Sequence, residues 1–433
     1  MHQRFLRTLL LSVISLILML ISINLAIDPF ATNRWLDITG LNHSKPEAGV
    51  HERLVKLFDV YRLKPEAISL GSSRTQFGLY IDGAKWGNTP IYNFGVSGPG
   101  IDEVQRLLAH ATALGKLKKA IIGLDFLMFN ADFLQPGMDS FNNSALSYPG
   151  DLNPFREWTA MLETATSLDT LDASWSTFQF NQHTQKRDLD VLPRTPWASA
   201  PQHYDYRHMF LRHATDYLDA IYLPKSTGRF VFQNAARGSM FEHFRQIVRF
   251  SYQHHIDARF FISPSNAWQW EVIDAAGLWP QFEYWKRQLV IILNEEATFS
   301  GRPAFPLWDF SGYSSITTQT VPACGSHEAM SHYFDASHYK PAVGQLVLDR
   351  ALSQNTSSVP DDFGVQITPS NIESDLVTIR RDRERWRSAH PADHKEIWQL
   401  AARVFSKEKS TYDFLCPEST PVARTASVLP PKL

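Results

Sequence analysis

The stretch Ala67–Phe77, AISLGSSRTQF, decides how the rest of the chain is read. A short apolar run ends in glycine, two serines and an arginine. That pattern predicts a buried strand that stops by presenting hydroxyls at the edge of a sheet. Downstream, Ile91-Tyr92-Asn93 leads into Phe94-Gly95-Val96-Ser97-Gly98-Pro99-Gly100, where three glycines and a proline in seven residues mark a tight loop. Ile101, Val104, Leu107, Leu108, Ala111 and Leu114 then share one helical face, with Gly115 placed to end it. Lys118–Asp125, KKAIIGLD, reads as a second buried strand. Strand, loop, helix and strand in this order begin a βαβ arrangement on a parallel sheet.

The alternation breaks between 130 and 255. Pro136, Gly137, Pro149, Gly150, Pro154, Pro193, Pro196 and Pro201 interrupt helical pieces such as Trp158–Ser167 and Arg237–Gln253. This stretch is expected to be a long insertion over the sheet edge, of the kind that carries binding or lid functions. Alternation resumes with a strand at Ala258–Ser263, a helix over Gln281–Ala297, a strand at Phe305–Phe310, and the loop HYFDASHY at His332–Tyr339. Pro341 suits the first turn of a last core helix. The expected fold class is α/β, a three-layer parallel sheet flanked by helices, with a long helical insertion and an N-terminal transmembrane helix.

Upstream, Arg4 and Arg7 precede Thr8–Ile27, a run without charge. As a helix it would span about 30 Å, near the thickness of a bilayer's hydrocarbon. Basic residues before the run favour a cytoplasmic N-terminus and place the remainder on the outer, periplasmic side. A cleaved signal peptide is the rival, but no small-residue cleavage site follows Leu25-Ala26-Ile27. The expected organisation is a cytoplasmic tip and anchor over 1–28, a juxtamembrane connection over 29–65 with a helix on Leu54, Leu57 and Phe58, a main domain over 66–353, and a C-terminal extension over 354–433. In that extension a charged helix over Ile372–Ser388 is expected to present RRDRERWR to solvent, and the final residues to be disordered.

The 433 residues are 44% hydrophobic and 20% charged with a net charge of −2, so a real core is expected and a nucleic-acid partner is not. Cys324 and Cys416 either pair, tying the tail to the domain, or are two unrelated thiols. His203, His208, His213, His254 and His255 match no metal-ligand spacing and read as surface loop residues. No metal and no cofactor is expected.

Chemistry enters through Ser73. A serine hydroxyl needs a base within hydrogen-bond reach and a group that orients the base. Asp335 and His338, three apart in a turn before a helix, supply both, if the fold brings the turn to the serine. Strand-GSS, then N-x-G-x-x-G, then a glycine-containing strand end, then DxxH resembles the SGNH/GDSL hydrolase superfamily over roughly residues 66–353. The closer likeness is to membrane-anchored bacterial members that carry GSS for GDS. The resemblance implies Ser73 as nucleophile, His338 as base and Asp335 as its orienting acid, with the N–H groups of Ser73 and Gly98 in an oxyanion hole. It also implies work on acyl groups, foremost acetyl, of cell-envelope or secreted polysaccharide, as an esterase or an O-acyltransferase, with a polytopic membrane acyl donor as a candidate partner.

The chain departs from the family where an asparagine is usual, at Gly123-Leu124-Asp125-Phe126. An ionised carboxylate donates no hydrogen bond. Asp125 is therefore a protonated oxyanion-hole residue, a structural one, or the sign of a defective hole. The last reading would suit a non-catalytic carbohydrate-binding or assembly protein that keeps the fold. Arg74 can bind an anionic sugar or hold the loop. Asn93 is a weaker candidate for substrate binding.

Overall fold

The computed structural model describes residues 2–133, 146, 155–183, 205–224, 227–326 and 328–406. The prolines and glycines of the insertion named above, His203 and Cys416 lie outside them. Two compact units are present. One gathers the described residues of 1–65, 109–116 and 139–198, the other those of 66–108, 117–138 and 199–433.

In chain order the elements are α1 (His2–Ile27), α2 (Glu52–Leu63), β1 (Ala67–Leu70), α3 (Ser73–Gly78), β2 (Lys85–Trp86), β3 (Thr89–Asn93), α4 (Ile101–Ala113) and β4 (Lys119–Leu124). Next come α5 (Arg156–Ala165), α6 (Leu168–His183), α7 (Tyr206–Asp216), β5 (Gln233–Asn234), β6 (Gly238–Ser239), α8 (Met240–Gln253) and β7 (Asp257–Ile262). The chain continues through α9 (Ala267–Ala275), α10 (Trp279–Ser300), β8 (Leu307–Asp309), α11 (Pro341–Ala351), β9 (Val365–Gln366), α12 (Ile372–Ala389) and α13 (Pro391–Phe405).

The larger unit is built on a seven-stranded sheet in the order β2-β3-β1-β4-β7-β8-β9. The pairs β3–β1, β1–β4, β4–β7 and β7–β8 are parallel, and the short edge strands β2 and β9 are antiparallel. Numbered along the chain, the five parallel strands stand in the order 2-1-3-4-5, a doubly wound arrangement whose ligand crevice lies between its first and third strands, beyond their carboxyl ends. Those strands are β1 and β4. Both are buried almost throughout, as central parallel strands must be. The GSSR turn leaves β1 and Asp125 follows β4, so the sheet order sets them on facing sides of the crevice.

Two expectations are corrected here. The stretch 130–255 is not one insertion. Its described residues 146 and 155–183 belong with the N-terminal unit, because α6 turns polar groups toward it, whereas 130–133 belong with the sheet. Asn181 accepts from the Ser44 N–H at 2.9 Å and donates to the Ser44 carbonyl at 2.8 Å, and Ser174 donates to Asn24 at 3.0 Å. Residues from 205 onward belong with the sheet. Nor is the RRDRERWR helix a solvated face. Arg380 forms an ion pair with Glu283, Arg387 bonds Glu271 at 2.9 Å and also pairs with Asp274, and the Arg383 guanidinium lies 3.9 Å from the centre of the Trp279 ring. Trp386 is buried with them. A run of alternating charge hides this, because its partners sit about a hundred residues upstream on α9 and α10. Arg381 and Arg385 do face solvent.

The smaller unit contains α1, one helix long and apolar enough to cross a membrane.

Candidate active site

The GSSR turn is held by close packing. Gly71 has φ +148°, and a Cβ there would sit 2.2 Å from Thr75 Oγ1, so only glycine fits. Ser72 caps α3, its hydroxyl accepting from the Arg74 N–H at 3.2 Å. Ser73 is thereby the first residue of α3, with its side chain free of the capping task. Its Oγ lies 2.8 Å from His338 Nε2, a contact between residues 265 apart.

His338 comes from the loop that precedes α11, where Pro341 fixes the helix start. His338 Nδ1 lies 2.8 Å from Asp335 Oδ2. The other oxygen, Oδ1, accepts from the N–H groups of Ser337 and His338 at 2.8 and 2.9 Å and from the Ser337 hydroxyl at 3.1 Å. Burial alone would raise the Asp335 carboxyl. The neighbouring His213 and His338, with the hydrogen bonds from His338 and Ser337, hold it well below the usual carboxylate range instead. The expected trio of Ser73, His338 and Asp335 is therefore assembled, with hydroxyl, imidazole and carboxylate in one line of hydrogen bonds.

A fourth group joins them that the sequence reading placed on a surface loop. His213 sits on α7, with Nε2 3.2 Å from Asp335 Oδ2 and its ring edge-on to His338 at 5.3 Å between centroids. Burial pushes His213 down to about 4, against the opposing pull of Asp335. Near neutral pH it is an uncharged donor on the same oxygen that His338 uses. No motif marks it, since His213 lies 122 positions before Asp335 and α7 follows a proline-rich stretch.

Asp125, weighed as an oxyanion-hole residue, is committed elsewhere. Its carboxylate accepts from Arg74 at 2.9 Å and from the Ser72 hydroxyl. With Oδ1 receiving the guanidinium and Oδ2 the hydroxyl, the carboxylate has no hydrogen to offer an oxyanion. Arg74, weighed as a substrate-binding residue, is 3% exposed and corrected to a holding role. Its second arm donates to the Tyr217 hydroxyl at 2.9 Å. Burial opposes the Arg74 charge, but Tyr217 and Asp125 raise its pKa. Tyr217 opens a π-helical turn, Tyr217–Ile221, directly after α7. Such turns displace one residue from the helical register and are frequent at sites.

Asn93, the other weak substrate-binding candidate, is spent on the loop. Its amide donates to the carbonyls of Thr75 and Gln76 at 3.3 and 2.9 Å, and its oxygen accepts from the Gly95 N–H at 3.1 Å. The Phe94 and Val96 N–H groups bond the Ser69 and Gly71 carbonyls, so the glycine loop runs along the GSS turn. Gly98 ends up at φ +54° and partly exposed. Among the described residues neither the Ser73 nor the Gly98 N–H has an acceptor in the protein. Two backbone donors thus remain for a developing negative charge.

No family model, curated protein or solved structure matches the chain.

His213, Asp335 and His338 also form a group of possible metal ligands, their ligating atoms all within 4.8 Å of one another. Their separations from Asp335 Oδ2, 3.2 and 2.8 Å, are those of hydrogen bonds. Both rings would have to give up those bonds to take a cation. As it stands the set can take a proton from Ser73, stabilise the resulting imidazolium through Asp335, and return the proton to a leaving oxygen.

Proposed function

We propose that this chain is a membrane-anchored serine esterase or O-acyltransferase of SGNH type, acting on acyl groups, foremost acetyl, of cell-envelope or secreted polysaccharide. The observation that carries the reaction class is the Ser73 Oγ–His338 Nε2 contact at 2.8 Å, continued by His338 Nδ1–Asp335 Oδ2 at 2.8 Å. Ser73 attacks the acyl carbonyl while His338 takes its proton. The oxyanion is met by the Ser73 and Gly98 N–H groups. His338 then protonates the departing sugar hydroxyl, leaving an acyl-serine that passes to water or to another hydroxyl. The carbohydrate substrate rests on the likeness of the motifs alone. An outward-facing domain is supported by the apolar α1 and by Cys324, which is disulfide-bonded.

The test uses full-length protein in detergent. A fluorophosphonate probe is expected to label Ser73, and Ser73→Ala to lose both labelling and hydrolysis of p-nitrophenyl acetate by at least about a thousandfold. Unchanged ester hydrolysis by Ser73→Ala would sink the reading. Folded wild-type protein that takes no probe would instead favour a non-catalytic binding protein, for which the absence of a third oxyanion donor at Asp125 speaks.

A further inference from the structure

Around α5 and on α6 the polar and apolar residues lie the wrong way round for helices in water. On α6, Thr170, Ser174, Thr177 and Asn181 are buried, while Leu168 and Trp175 are 72% and 57% exposed. On α5, Phe155, Trp158 and Leu162, spaced three and four apart, form a stripe that is more than half exposed. Trp35, also exposed, lies 6.3 Å from Trp158 between ring centres. Isolated exposed apolar residues need no explanation, but an aligned stripe of aromatic and aliphatic side chains does.

These helices are attached to α1 below its outer end. Asn24 donates to the carbonyls of Ala165 and Ser167, at 2.9 and 3.1 Å, which pins the turn between α5 and α6 to the helix. Asn24 is three residues short of Ile27, about 4.5 Å along the axis. Leu168 and Leu171 go deeper, sharing an apolar groove with Leu16, Leu20 and Ile23. That groove lies about 6–17 Å inside the end of the helix. If α1 spans a bilayer, the α5–α6 turn sits at the headgroup boundary and in the outer edge of the hydrocarbon.

We propose that α5 and the start of α6, with Trp35, form a second membrane-contacting element that beds in the outer leaflet beside the span, its occupant being lipid. This placement requires α1 to span the bilayer. Continuity selects lipid, because the exposed stripe adjoins a helix whose remaining surface is bare Leu, Ile and Met. Tryptophan at this level is what the interface favours. Asp169 and Asp172 are exposed near Leu168 and hold α6 at the headgroups rather than farther in. The consequence is that the smaller unit's orientation to the membrane is fixed by two elements instead of swinging on one.

The test places a nitroxide on full-length protein in phosphatidylcholine nanodiscs, through Leu162→Cys and Leu168→Cys, with Leu11→Cys on the span and Val377→Cys on α12 as references and unsubstituted protein as the labelling blank. Accessibility to oxygen and to a water-soluble nickel chelate is read for each. Labels at 162 and 168 are expected to favour oxygen, like the label at 11 and opposite to that at 377. If the label at 11 favours oxygen while 162 and 168 favour nickel, the bedding is wrong although the span stands, and the stripe is left for a protein partner. Should the label at 11 favour nickel too, the reading of α1 fails and the proposal with it.

Discussion

Arg74 and Asp125 meet at 2.9 Å with side chains 3% and 1% exposed. Two charges so deep in the protein are tolerable only together, and each has further partners in Tyr217 and the Ser72 hydroxyl. Removing one partner leaves the other as an unpaired buried charge, which costs about 3–5 kcal/mol. Arg74→Met is therefore expected to destabilise the protein by that amount in chemical denaturation. Replacing both, as Arg74→Met with Asp125→Leu, is expected to restore a large part of the loss, which a double-mutant cycle would register as coupling. A cost under about 1 kcal/mol for Arg74→Met would mean the pair is not what holds the turn. Reading the sequence singled out Ser73, Asp335 and His338, which the fold brings into one line of hydrogen bonds. It left Asp125 and Arg74 as separate puzzles, since nothing local ties positions 51 apart into one pair.

The elements that carry the site differ in how plainly they could be read. Strands β1, β4, β7 and β8 and helices α4, α10 and α11 follow from apolar runs, helical stripes, and the glycine and proline signals beside them. Their periodicity is set by the chain's own local geometry. The α7 helix with its π turn is another matter. It brings His213 to Asp335 and Tyr217 to Arg74, and α13 packs on both parts from the far end of the chain. Those duties depend on tertiary placement, which leaves no period in the sequence. On the proposed mechanism His213 is a positioning residue, since it touches Asp335 and not Ser73. His213→Gln retains an amide donor for Asp335 Oδ2 and is expected to keep ester hydrolysis within a few-fold of wild type. His213→Ala removes the donor and is expected to lower kcat by roughly ten- to a hundredfold, the worth of one hydrogen bond to a charged group. Equal activity in the two variants would show that the second histidine does not support the carboxylate.

Over the whole molecule, acid should act on each unit through a buried histidine. His110, in the smaller unit, is fully buried, its Nε2 3.4 Å from the Leu57 carbonyl and its ring edge-on to Tyr61 at 4.8 Å. Burial pushes His110 down to about 4, as it does His213 in the larger unit. In the unfolded chain both titrate near the ordinary value of about 6.5. Between these values the unfolded chain binds more protons than the folded one, so stability rises with pH across the window and is lost as pH falls from about 6.5 to about 4. His110 accounts for about 3 kcal/mol of that loss. Asp335 adds its own only lower down, because its folded carboxyl is held below the usual range and its contribution begins to go as pH drops under about 4. The order of events on acidification is thus histidines first, carboxylate second. The measurement is the denaturation midpoint of full-length protein from pH 7 to 4, for wild type and His110→Gln. The variant, with no group left to protonate at that position, is expected to show a shallower slope by close to one proton. A slope identical to wild type would mean that the His110 ring takes up its proton without unfolding, and that water reaches it beside Leu57.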